Sequence, residues 1–181
     1  MLRLLLARLR TRGRVRAGRG VRVGRGVRFD VAAGGTLVLG AGVAVGERTR
    51  FDIAGDVRIG AGTRLGPRCR IAARERITIG ARCVLGDEVV VLDFDHETAD
   101  VERPVRLQGL LTSPVTVGDG ACLDDAVVVL RGAEVGAGAR VTTRSVVTAA
   151  VAAGATATGV PARQVESSSS ASAARPAGTS R

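Results

Sequence analysis

The sequence predicts an all-β fold: a parallel β-helix of hexapeptide repeats with a short N-terminal helix and one long loop. Three observations carry that expectation. The first is a six-residue period. LGAGVA, VGERTR and FDIAGD run from Leu39, IGAGTR, LGPRCR and IAARER from Ile59, and IGARCV, LGDEVV and VLDFDH from Ile79. After an interruption, VGDGAC, LDDAVV, VLRGAE, VGAGAR and VTTRSV run from Val117. The second is the content of each repeat: an aliphatic residue at position one, Gly at position two in most, and a small residue at position five. The third is composition. Three Phe, no Tyr, no Trp and 25 Gly imply a narrow, repetitive core that does without large aromatic rings.

A period of six fits neither a helical stripe nor simple strand alternation. It suits a triangular coil in which each side takes one hexapeptide, the aliphatic residue points inward, and the Gly eases the corner. Three hexapeptides close a coil, and two-residue insertions (Val57-Arg58, Ile77-Thr78, Val115-Thr116) lengthen some sides. Each coil buries its neighbour's interior, so no single coil is stable alone. About five coils are expected, the first beginning weakly near Val21.

Flanking this domain, 20–165, are two segments of different character. Ten of the 27 basic residues, all of them Arg, fall within residues 1–28, where there is no Asp or Glu. The net charge of +10 therefore belongs to that end. Leu2, Leu5, Leu6 and Leu9 share a helical face, so residues 1–19 read as a basic, helical segment that packs on the domain or touches a membrane surface. Nucleic acid is not expected, because no aromatic residue is interleaved with the arginines. Residues 166–181, ESSSSASAARPAGTSR, have no apolar period and read as a disordered tail. Three cysteines without close pairing argue against a disulfide scaffold and for a cytoplasmic setting, with Cys69 and Cys83 in small-residue slots of the repeat. The start, an apolar run interrupted by Arg3, Arg8 and Arg10, does not read as a signal peptide, and no stretch reads as long enough to span a bilayer.

The repeat breaks at VLDFDHETADVERPVRLQ. The small-residue slot holds Asp95, the next repeat signal comes only at Val115, and residues 97–114 form an excursion. Long excursions from a rigid frame are more often functional than idle. His96, the one His of the chain, stands at the junction. Histidine is suited to take a proton from a hydroxyl near neutral pH, and a neighbouring carboxylate can fix its tautomer. Asp93 and Asp95 both lie beside it, and spacing does not choose between them. The bland alternative is a solvated loop histidine. No cysteine has a base beside it in sequence, which disfavours a cysteine acyl-enzyme.

The repeat as a whole resembles the left-handed parallel β-helix of the hexapeptide-repeat acyltransferases. From Ser113 to Val165, and above all in SVVTAAV and GVPAR, the chain is similar to the sugar O-acetyltransferases related to the maltose, galactoside and polysaccharide enzymes. That resemblance implies a left-handed wind and a homotrimer. It also implies acetyl-CoA as acyl donor, the hydroxyl of a sugar or glycan precursor as acceptor, and no metal. It makes His96 the general base with an aspartate just before it as its partner, Asp93 being taken for that place and Asp95 remaining open, and puts Asp125, Thr143, Thr148 and Arg163 along the donor groove. The chain departs from the family pattern at Cys122-Leu123-Asp124 and Thr143-Arg144-Ser145, and at Ala149, where a basic residue is common. A non-catalytic β-helix scaffold that has lost the donor site is the alternative. A metalloenzyme of the β-helical carbonic anhydrase kind is set aside, since it needs three histidines around zinc.

Overall fold

The computed structural model describes residues 13–165. The helix expected over the N-terminal leucines and the tail from residue 166 lie outside the described residues. The described chain winds into a triangular solenoid whose three faces are parallel sheets. The first face stacks Val15–Ala17, Thr36–Leu39, Asp56–Ile59, Arg76–Ile79, Val115–Val117 and Glu134–Val135. The second stacks Arg22–Val23, Ala44–Val45, Arg64–Leu65, Val84–Leu85, Cys122–Leu123, Arg140–Val141 and Thr156–Thr158. The third stacks Arg28–Val31, Arg50–Ile53, Arg70–Ala73, Val90–Leu92, Val128–Val129 and Val146–Val147.

The solenoid has about seven turns rather than five, and it starts earlier than expected. Val15–Ala17, inside the stretch read as helical, pairs in parallel register with Leu37–Leu39. The residues were there to be read: Ala17, Val23 and Phe29 occupy position one, and Val21 and Val27 position five. A small residue at the first position and an Arg at every third residue hide the pattern.

Position five does what the period requires. Thr49, Thr63, Cys69, Cys83, Ala121, Ala133, Ala139 and Ser145 are all buried. The polar members are not wasted inside. Thr63 Oγ1 donates to the Gly80 carbonyl at 2.7 Å, and Cys69 and Cys83 Sγ donate to the Gly86 and Gly118 carbonyls at 3.2 and 3.1 Å. Each thus ties its own coil to the next, in line with the rule that buried polar atoms are paired.

The Gly at position two has a different reason from the one expected. It does not turn the corner; it lets the next coil approach. A Cβ on Gly60 would lie 2.4 Å from the Ala81 nitrogen and 2.5 Å from the Gly80 carbonyl carbon. The left-handed bend falls two residues later, at position four. There Gly62 has φ +72°, and at the corner between the second and third faces Arg48, Arg68 and Arg144 take φ 57°, 59° and 60°.

The upper end of the stack is closed. Arg163–Val165 folds back antiparallel on Thr156–Thr158. The Val146 N–H donates to the Gly159 carbonyl, the Ala162 N–H donates to the Val146 carbonyl, and the Val151 N–H donates to the Glu134 carbonyl. One short segment therefore supplies partners to the last strand of every face.

Candidate active site

In the fourth coil the chain leaves the frame after Val90–Leu92 and returns at Val115–Val117, the corner between the third and first faces. It leaves as a two-stranded antiparallel ribbon, Phe94–His96 against Leu110–Thr112, with His96 opposite Leu110. The ribbon therefore begins at Phe94, three residues before the expected excursion. Its outer end is organised by Gln108, whose Nε2 donates to the Asp100 carbonyl at 2.7 Å while its Oε1 accepts from the Asp100 N–H at 3.1 Å.

Asp93 makes this departure possible. In the coils below, the corner N–H groups donate to a carbonyl one coil up: Ala54 and Gly55 both donate to the Ala73 carbonyl. Above Arg74 and Glu75 the chain has turned away. The buried Asp93 carboxylate stands in, accepting from the Arg74 N–H at 2.7 Å and the Glu75 N–H at 2.9 Å. Its own carbonyl accepts from the Ser113 N–H at 2.9 Å, where the ribbon comes home. One residue thus caps the coil below and fastens both feet of the excursion.

Asp93 thus has partners other than the histidine expected for it. Each of its oxygens is engaged by the frame, one by the Arg74 N–H and the other by the Glu75 N–H. Asp95 Oδ1 accepts from the His96 backbone N–H at 2.8 Å. Among the described residues no side chain hydrogen-bonds the imidazole of His96, which is exposed. In the ribbon Phe94 and His96 share one face and Asp95 takes the other. Phe94 is covered by Arg74, whose guanidinium carbon lies 4.7 Å from the ring centroid. Arg74 is in turn drawn toward Asp52, with Nη1 3.1 Å from Oδ1 and Nη2 3.2 Å from Oδ2. Asp52, Arg74, Phe94 and His96 form a chain of contacts and alternation that sequence spacing gave no means of finding, because Asp52 lies two coils below.

The four residues expected along a donor groove do not converge within one chain. Asp125 and Thr143 stack on the corner between the second and third faces, the Arg144 N–H donating to the Asp125 carbonyl at 2.9 Å. Asp125 Oδ1 accepts from the Asp87 N–H at 2.8 Å, as Asp119 Oδ1 does from the Ala81 N–H. Both carboxylates therefore cap the fourth coil from above. Thr148 follows Val146–Val147 on the corner of the excursion, two coils higher, and Arg163 lies in the closing strand; both are exposed. An open groove of about 500 Å³ runs over the upper first face, lined by Thr116, Glu134, Ala150, Ala152 and Gln164 among others, and by none of the four.

The cysteines are structural. Burial pushes the Cys69 thiol up to about 11 and raises those of Cys83 and Cys122. Such thiols are poor nucleophiles at neutral pH.

Repeat, triangular frame and a histidine-bearing ribbon at one corner together define a hexapeptide-repeat solenoid with one excursion. Comparison with known proteins agrees. No protein-family model matches the chain. A probable acetyltransferase of Mycobacterium tuberculosis is 34% identical over 83 residues, which are 46% of this chain and 28% of that protein. The chain thus spans well under half the length of this relative. A hexapeptide-repeat acetyltransferase from Vibrio cholerae, solved with acetyl-CoA, superposes with a TM-score of 0.66 at 25% identity, covering 71% of this chain and 69% of that one. A galactoside acetyltransferase solved with coenzyme A has a TM-score of 0.61 at 18% identity, covering 81% of this chain and 64% of that one, and shares the fold. In sequence over part of its length, and in fold over most of it, the chain is similar to hexapeptide-repeat acetyltransferases.

Proposed function

We propose that the protein transfers an acetyl group from acetyl-CoA to a hydroxyl of a sugar or glycan precursor, with His96 as general base. The observation that carries this reading is the placement of the lone histidine. It stands exposed on a ribbon rooted in a rigid coil, in a fold whose relatives include one solved with acetyl-CoA. The imidazole takes the proton of the acceptor hydroxyl as the oxygen attacks the thioester carbonyl, and a backbone N–H holds the tetrahedral oxyanion. Collapse breaks the C–S bond, releasing the ester, and the imidazolium returns its proton to the departing thiolate. Atoms balance without a covalent enzyme intermediate, consistent with the raised thiols. In this reading Asp93 positions the ribbon rather than touching the imidazole.

The working unit in this reading is a homotrimer of left-handed solenoids in the cytoplasm. His96 sits on one corner of the prism and the Asp125–Thr143 pair on another. A donor spanning both is best served by two copies placed corner to corner. Backbone at Thr143 would meet the pantetheine arm, while Thr148 and the exposed Arg163 would meet the donor from the neighbouring corner and the closing strand.

The test is His96→Ala assayed with acetyl-CoA and a panel of sugar acceptors. Loss of a general base is expected to lower kcat by about 10²–10⁴-fold, with an unchanged circular dichroism spectrum and the same thermal shift on adding coenzyme A. An unaltered rate would refute the proposed base. No thermal shift with either coenzyme A or acetyl-CoA would favour the non-catalytic scaffold.

A further inference from the structure

The first coil carries a charge pattern that acyl transfer does not use. Arg16, Arg19, Arg22, Arg25 and Arg28 recur at every third residue, with no acidic residue among them. Six residues make one side and one corner, so a step of three alternates between the two. Arg16, Arg22 and Arg28 project from the strands of the first, second and third faces, and Arg19 and Arg25 from the two corners between them. All five are exposed, and among the described residues none is in an ion pair. The first coil holds one acidic residue, Asp30, near the end of its third strand, against the five arginines, whereas the next coil balances its signs more evenly, with Glu47 beside Arg48 and Asp52 beside Arg50. The first coil is also terminal, since its three strands are the end members of the three sheets. Five unpaired cations therefore ring one end of a prism.

We infer that this end of the solenoid docks end-on against an anionic lipid surface, with the arginine belt as its electrostatic contact. A coil is only ~4.8 Å thick and the Debye length is about 8 Å at physiological salt. A plane laid against the end of the coil thus lies within screening range of all five groups at once. Each Arg near an anionic bilayer raises partitioning by about fivefold. Residues 1–12 precede this coil in the sequence and add Arg3, Arg8, Arg10 and Arg12 as well as Leu2, Leu4, Leu5, Leu6 and Leu9. Apolar side chains of that kind suit a bilayer and not a nucleic acid. The belt also lacks a base-stacking platform, because Phe29 points inward and stacks on Phe51 with ring centroids 5.1 Å apart.

The experiment is sedimentation of the full-length protein with phosphatidylcholine vesicles made with and without phosphatidylglycerol. Binding is the readout, so the result does not depend on the acetyl-transfer reading. Binding is expected only to the anionic vesicles, and is expected to vanish at about 1 M salt, where the Debye length falls to about 3 Å. Arg16→Gln, Arg22→Gln and Arg28→Gln, one on each face, are each expected to weaken partitioning by a similar factor of about fivefold. Their circular dichroism should match the parent. No binding to anionic vesicles, or equal binding to neutral ones, overturns the proposal. An effect confined to one of the three variants means side-on contact and overturns the end-on geometry. Displacement of the protein from vesicles by a mixed-sequence DNA duplex, with the three variants losing DNA affinity instead, assigns the belt to nucleic acid and overturns the lipid assignment.

Discussion

Asp93 shows how much one buried carboxylate can organise. Its two oxygens replace a carbonyl that the departing chain has taken away, and its own carbonyl receives the returning strand. Asp93→Ala would leave two N–H groups without partners, at about 1–3 kcal/mol each. The expected result is a loss of about 2–5 kcal/mol in urea unfolding, together with a fall in activity from loss of ribbon position. Asp95→Ala, whose carboxylate bonds only its neighbour's N–H on an exposed ribbon, is expected to cost under about 1 kcal/mol. Sequence placed both aspartates beside the histidine but could not separate them. The partners of Asp93 lie 18 and 19 residues earlier in the chain, a distance at which local alternation says nothing.

Cys69 supports a prediction of pH dependence. Burial raises its folded pKa from 9.0 to about 11, so the folded state keeps the proton over a range in which the unfolded chain loses it. A raised folded value means that this contribution is intact below about 9 and is lost as pH rises toward about 11. Unfolding midpoints of the parent are expected to fall over that window, and Cys69→Ala should flatten the slope. A slope unchanged by the substitution would remove Cys69 as its cause.

At the scale of the elements, the hexapeptide was legible because the frame repeats one packing problem. Aliphatic, glycine and small-residue slots follow from inward, close-approach and corner positions. The reason for the glycine was not legible, since a period cannot tell a bend from a close contact. The distinction is testable. Gly60→Ala forces a Cβ to 2.4 Å from backbone and is expected to cost about 1–3 kcal/mol or more, because adjacent coils must separate. Gly62→Ala meets only the flexible Arg82 side chain at 3.6 Å and keeps a left-handed φ that Arg48 and Arg68 also tolerate. It is expected to cost about 1–2 kcal/mol. The reverse order of midpoints would mean that the bend, not the contact, selects glycine at position two. The ribbon was less legible than the frame. Its strands are short, and its fastening through Arg74 and Asp52 depends on coils being stacked.

For the whole molecule, the fold class followed from the repeat, while the number of coils did not. The arginine-rich first coil masked its own apolar slots, and the wind needed a three-dimensional frame to reveal Val15–Ala17 as its first strand. Assembly is a prediction at this scale. Light scattering after size exclusion is expected to give three times the 18.5 kDa of one chain, and His96→Ala should not change it. A monomer of full thermal stability would separate the donor-side corner from the histidine corner and remove the shared site.

The stacked coils also act as a ruler. Each turn advances the chain by a fixed ~4.8 Å, so position along the axis is set by coil number and not by loop flexibility. The histidine ribbon leaves the fourth coil and the charged end is the first, a separation of three steps or about 14 Å. Inserting or deleting a whole coil between them would move the histidine along the axis by one graduation while leaving its surroundings intact.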